Sequence, residues 1–287
     1  MIRVLCLILF IVCQVKAQTI TKFRRDSLFL NHLMEIGEHK NAITLIGQLQ
    51  RYYADSLQQR LELSFQKGLA YYTIKQLDSA EVYLIQTPST SKNHVRAQFL
   101  GGISATYLHK YLRSAKYFDA IRTDDTVMFA LRNFEYSGLA LLKRDFNAFD
   151  SLSRVPLPSH YSFEKQQEAF TEYKQSILKQ RKKSPLLAGV MSAIVPGSGK
   201  IYVGQLGQGI AALFQTAFLG LQAYEGYRKD GPTSARFLIY GGLFSLFYVG
   251  NVWGSVLSVR IQQREFNDKV NEQIIFDMHI PIRTIFN

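Results

Sequence analysis

Few residues in this chain have types and spacing that could do chemistry. The most inviting group is Gly197-Ser198-Gly199-Lys200, which looks like a phosphate-binding loop. Such a loop needs a glycine five residues before its last glycine and a serine or threonine after the lysine. Ile194 and Ile201 stand there instead, and no strand pattern precedes them. The histidines, His32, His39, His94, His109, His160 and His279, form no pair at metal-ligand spacing such as HxxxH. No Gly-x-Ser-x-Gly elbow presents a nucleophile. Asp124-Asp125 precedes a helical pattern, where N-capping accounts for it. Glu225, at the end of an apolar run, is expected to snorkel or to pair with Arg228. No catalytic, cofactor-binding or metal-ligating residue is therefore assigned, and the chain reads as a non-enzyme without a cofactor.

The polar residues that still ask for an explanation lie inside apolar stretches. Gln208, Gln215 and Gln222 are seven apart, which keeps them on one helix face. In lipid that face is expected to turn inward and hydrogen-bond a neighbour. Gly250-Asn251-Val-Trp-Gly254 is a close-approach pattern within a second polar stripe that includes Ser255. Ahead of both comes Pro196-Gly197-x-Gly199-Lys200-x-Tyr202-x-Gly204. Proline breaks a helix and glycine admits positive φ, so a sharp turn is expected there, with Lys200 and Tyr202 near lipid headgroups.

The elements that must position these residues are apolar helices. Residues 206–227 and 235–259 are each long enough to cross a bilayer, which takes about 20 residues. The run Leu186 to Val195 is too short, so 186–204 reads as a broken, re-entrant or interfacial element. The basic loop Arg228 to Arg236 is expected in the cytoplasm by the positive-inside rule. Two crossings would then put everything before and after them on the export side. The pattern Ser192-Ala-x-x-Pro196-Gly-x-Gly199-Lys-x-Tyr202-x-Gly204 followed by a helical pair resembles a family of small membrane hairpins that are found fused to helical repeats in bacterial envelope proteins. That family has no established catalytic residues to carry over.

Residues 1–17 have a signal-peptide pattern: Arg3, an apolar core, and small residues before Gln18. The two cysteines, Cys6 and Cys13, both lie in this leader, so its removal would leave no thiol for a disulfide or a zinc site. The 34 Lys and Arg outnumber the 22 Asp and Glu, for a net charge of +12. In an exported chain that surplus suits a membrane surface and argues against nucleic acid.

Between Asp26 and about Lys183 the apolar residues recur at helical spacing. The stretch from Tyr72 to Tyr83 echoes that from Tyr107 to Phe118 at an offset of 35 residues. Small residues Ala42, Ala80, Ala115 and Ala148 recur at intervals of 38, 35 and 33 and are expected where the two helices of each repeat meet. This resembles the tetratricopeptide repeat family, with Gly68, Tyr71, Ala80 and Leu84 fitting its spacing best. The many tyrosines, including Tyr72 and Tyr107, would line either a peptide-binding face or a repeat core with hydroxyls at its surface. The core is the reading adopted here.

The expected fold is all-α: tetratricopeptide-like helical hairpins followed by a small helical membrane domain. The divisions are a leader (1–17), a repeat domain (18–160), a charged helix or linker (161–184), a membrane domain (185–264) and a C-terminal tail (265–287), whose end shows short alternation. The expected function is a membrane-anchored scaffold or assembly factor. It would sit in the bacterial inner membrane with its repeats in the periplasm, touching membrane lipid and an envelope protein. The alternative is a subunit of an oligomeric transport or channel complex, and a homo-oligomer fits either.

Overall fold

The computed structural model describes residues 22–155 and 161–286. The expected leader and the Pro156–His160 stretch lie outside the described residues. The chain is all-α: the described residues form thirteen helices and no strand. It divides into two compact units. One comprises the chain up to Thr171 together with Ile274–Asn287, and the other is Glu172–Gln273.

The first unit is a succession of antiparallel helix pairs. α1 (residues 22–35) is followed by α2 (His39–Tyr52), α3 (Leu57–Thr73), α4 (Leu77–Leu84), α5 (His94–Tyr107), α6 (Tyr111–Asp119), α7 (Thr126–Leu142) and α8 (Phe146–Ser153). Each from α2 to α8 packs on the next, as in a repeat array. The repetition is clearest in the turns. Gly37, Lys75, His109 and Arg144 all take positive φ, at intervals of 38, 34 and 35 residues. Each ends a helix with the same two hydrogen bonds. After α3, Gln76 N–H donates to the Tyr71 carbonyl (2.9 Å) and Lys75 N–H to that of Tyr72 (3.0 Å). After α5, Lys110 and His109 donate in the same way to Ala105 (2.8 Å) and Thr106 (2.9 Å). These bonds satisfy carbonyls that a helix end leaves open. Asp125 caps α7, its carboxylate accepting from Val127 N–H (2.7 Å) and Met128 N–H (3.1 Å).

These turns correct the repeat register. The residue five after each turn is buried: Ala42, Ala80, Ser114 and Phe149. Ala115 and Ala148 are only half-buried, one position away from that line. Ser114 holds the place with a hydroxyl 2.7 Å from that of Thr106. Matching by residue size shifted the alignment by one, because at this position the chain uses a small polar residue and then a ring in place of alanine. The same 34-residue offset relates the close contacts, with Gly68 facing Leu84 and Gly102 facing Phe118.

The second unit contains α10 (Pro185–Ile194), α11 (Ser198–Val203), α12 (Leu206–Asp230) and the first part of α13 (Ala235–Phe286). α9 (Tyr161–Lys179) also enters it. Ser184 caps α10, accepting from Leu187 N–H, with Pro185 in the first turn where its missing N–H costs nothing. α13 alone among the described residues is long and apolar enough to cross a membrane. Only 22% of its most apolar stretch is buried, so it is not a core helix of this unit. α12 is long enough but its glutamines keep it short of that mark, so only one of the two expected spans meets it on composition. Residues 265–286 continue α13 as helix, and the alternation in the tail is not a strand.

Candidate functional site

The tail builds the most distinctive site of the first unit. Ile274, Ile275, Met278 and Ile282 of α13 are buried, as expected for one face of a helix. Met278 seats against Gly138 of α7, so closely that a Cβ on the glycine would fall 2.6 Å from its sulfur. Phe286 meets Phe99 of α5 with ring centroids 5.6 Å apart. Between them, His279 is clasped by two tyrosines. Its Nε2 is 2.5 Å from the hydroxyl of Tyr72 on α3, and its Nδ1 is 3.4 Å from that of Tyr107 on α5. Both phenol rings meet the imidazole edge-on, at 84° and 88°. A neutral imidazole has one N–H and one lone pair, so one hydroxyl donates to it and the other accepts.

Electrostatics support that neutral state. Burial, with Arg283 adding to it, holds the His279 imidazole below its ordinary range. Burial also raises both phenols, and a charge on Glu135 of α7 would raise them further. Glu135 itself is fully buried with neither carboxylate oxygen hydrogen-bonded, and burial pushes its carboxyl well above the usual carboxylate range. Beside the tail a cleft of about 260 Å³ stays open, lined among others by Met34, His39, Arg96 and Ile282. Tyr72 and Tyr107 were legible as repeat tyrosines. Glu135 and His279 carried no signal: His279 meets tyrosines 207 and 172 residues away, and nothing in the local pattern around Glu135 marks it as buried.

The second unit is organised by its turn. Gly197 (φ 88°) starts α11 and Gly204 (φ 101°) ends it. A Cβ on Gly197 would run into the Gly209 carbonyl of α12, and one on Gly199 into that of Ala188 on α10. Gly199 N–H donates to Ser192 Oγ (2.9 Å), which is 2.7 Å from Ser255 Oγ of α13. The Val203 carbonyl accepts from Lys183 Nζ (2.7 Å) and Gln262 Nε2 (3.2 Å), and the Tyr202 hydroxyl accepts from Ser184 N–H (3.3 Å). Pro196 and Lys200 are half-buried, with the Lys200 stem beside Gly254.

Two expectations about helix faces are corrected. Gln208 and Gln215 are exposed, and Gln222 is half-buried, accepting from Arg236 (2.8 Å). The inward stripe of α12 is one residue on: Gly209, Thr216 and Ala223. That step turns the face by 100°, and it wins because glycine and alanine let backbones approach where a glutamine would not fit. Likewise Gly250 is exposed with nothing against it, while Asn251 and Ser255 face inward. Asn251 is buried with both amide atoms unpartnered.

Among the described residues no three His, Cys, Asp or Glu side chains are grouped so as to hold a metal ion. No protein family, curated protein or solved structure matches this chain.

Proposed function

We propose that this chain is a non-enzymatic, membrane-anchored protein of the bacterial envelope whose tetratricopeptide-like repeats are a protein-binding scaffold. The observation that carries the reading is the return of the chain: Ile274–Phe286 packs on the same repeats that precede the second unit. In this reading both ends of that unit lie on one side of the membrane, and a crossing by α13 is matched by an earlier one. α12, with 25 residues or about 37 Å, has the length for it. Beside the outward Gln208 and Gln215, its exposed residues include Phe214, Phe218 and Leu221, and those of α13 include Leu246, Val249 and Trp253. In this reading the basic loop is cytoplasmic and the repeats are periplasmic, in the inner membrane.

The test has two steps. The full chain should remain with membranes through high salt and alkaline carbonate and leave them in detergent. Crosslinking in native membranes should then enrich one defined envelope protein. Release by carbonate would end the anchor, and recovery of lipid alone would end the scaffold.

The second reading, a subunit of an oligomeric transport complex, is favoured by the outward Gln208 and Gln215. Amides facing lipid gain by pairing with another copy. A monomer in mild detergent would remove this reading.

A further inference from the structure

The tail occupies the repeat unit through α3, α5 and α7, at Tyr72, Tyr107 and Gly138. The second helices of two neighbouring pairs carry a separate cleft. α4 and α6 are its walls, and α5, which packs on both, is its floor. It holds about 650 Å³, within the range of about 300–1,000 Å³ that binding sites for small ligands occupy.

One buried acid fixes the spacing of the walls. Glu81 of α4 is 3% exposed and accepts from Arg113 (3.1 Å), Lys110 (3.3 Å) and the Tyr117 hydroxyl (3.4 Å) across the cleft. Lys110 also pairs with Asp78 (2.7 Å). The charges of Glu81 and Asp78 are thus answered within the protein, and the cleft is formed before anything enters it.

Three features of the cleft are left unanswered. Gln98 of α5 is 5% exposed, yet its amide makes no hydrogen bond with the described residues. An amide so buried is costly to leave unpaired. On the α4 wall Val82 and Ile85 are more than half exposed. On the α6 wall Lys116 is exposed and forms no ion pair among the described residues. Asp119, three residues on, bonds Tyr136 of α7 instead.

An amide between an apolar wall and a cationic one describes one kind of ligand. The glutamine amide carries the donor and the acceptor of a peptide unit, so it can pair with an extended backbone through both. Adjacent side chains of an extended chain point to opposite sides. With one side chain on Val82 and Ile85, its neighbour faces Lys116, where a carboxylate is favoured.

We propose that the cleft between α4 and α6 is a docking site for an extended peptide segment of another protein, in which a large aliphatic residue adjoins an aspartate or glutamate. This rests on the reading that the repeats bind a protein, and names where they do so and by what chemistry.

The test uses the full chain in detergent and two mixtures of labelled hexapeptides with blocked ends. Both are randomised except for a central pair, leucine with glutamate or leucine with lysine, in either order. The chain should bind the glutamate mixture about fivefold tighter than the lysine mixture. Lys116→Glu should reverse that preference at an unchanged unfolding midpoint. Ile85→Ser should weaken the glutamate mixture about fivefold, and Gln98→Leu should weaken both mixtures about tenfold with the preference kept. If Gln98→Leu lowers the unfolding midpoint, Ile85→Ser and Lys116→Glu, both at exposed positions, still decide. A preference for lysine, or one that Lys116→Glu leaves unchanged, overturns the proposal. So does binding that Ile85→Ser does not weaken, because the peptides then sit elsewhere. Failure of both mixtures, with a partner still crosslinked in membranes, would sink this cleft and leave the scaffold reading standing.

Discussion

In the repeat unit the glycines face side chains, Gly102 against Phe118 and Gly68 against Leu84. In the second unit the two glycines of the turn face backbone, Gly197 against the carbonyl of Gly209 and Gly199 against that of Ala188, while Gly189 and Gly220 face the side chains of Val256 and Phe244. The outer surfaces differ in the same sense. The first unit buries its rings, Phe99, Phe118, Phe163 and Phe170, while the second leaves Phe214, Phe218 and Trp253 outside and buries Ser192, Thr216 and Ser255. Water drives apolar groups inward, so an array in water gathers large side chains around small ones. Lipid gives no such drive, and helices within it associate through small residues and hydrogen bonds. Under the membrane-anchored reading proposed above, the two units would be packed for different solvents.

The comparison can be broken most decisively at Gly197. Gly197→Val forces a β-branched residue to positive φ and into a carbonyl, at a combined cost of about 4 kcal/mol. Membrane-inserted protein should be lost while amide protection over α3 to α8 persists. Loss of protection in both units would mean that they do not fold separately.

Next in size is the repeat register. Ala80→Leu and Ser114→Leu should each cost about 2 kcal/mol by overpacking a buried helix contact, and the half-buried Ala115→Leu less than half of that. Thermal unfolding of the repeat unit checks this. A larger loss at Ala115 than at Ser114 would restore the alignment by residue size.

Glu135→Gln should stabilise the repeat unit by about 1–2 kcal/mol at neutral pH, by removing an unpaired buried acid. The wild-type carboxyl is raised in the folded state, so what it contributes is fully present below about pH 4.5 and is lost as pH rises towards the folded value. The two proteins should therefore converge in acid and separate towards neutrality. His279, lowered in the folded state, acts oppositely: its contribution is present above about pH 6.5 and lost as pH falls through the folded value. A Glu135→Gln difference that does not depend on pH would show that the carboxyl is paired in solution.

The smallest effects are at the turns, and they have opposite signs in the two units. Lys75→Gly and Arg144→Gly should each stabilise by up to about 1 kcal/mol, because a side chain at positive φ is strained where glycine is not. Gly204→Ala should cost about 1 kcal/mol from φ alone, since its nearest neighbour, Lys183 Nζ, is 4.0 Å away, at ordinary contact distance. Equal signs would remove the contrast between the turns.

Helical periodicity, the repeat length near 34, the break at Pro196–Gly197 and the cap at Asp125 were determined by the sequence itself. Each follows from residues within a few turns of one another, whose backbone preferences and spacing act locally. Other features depended on distant partners. Lys75, His109 and Arg144 are unremarkable residues for a left-handed turn, and it takes the packing of α3 on α4 and its counterparts to hold them there. Gln208, Gln215 and Gln222 do share a face, but which neighbouring stripe turns inward was decided by the fit of Gly209 against Gly197. The pairing of His279 with Tyr72 and Tyr107 spans 207 and 172 residues, and no periodicity reaches so far. Tertiary structure alone decided that the last helix closes the groove of the first repeats, because an apolar helix face states that it must be buried without stating against what.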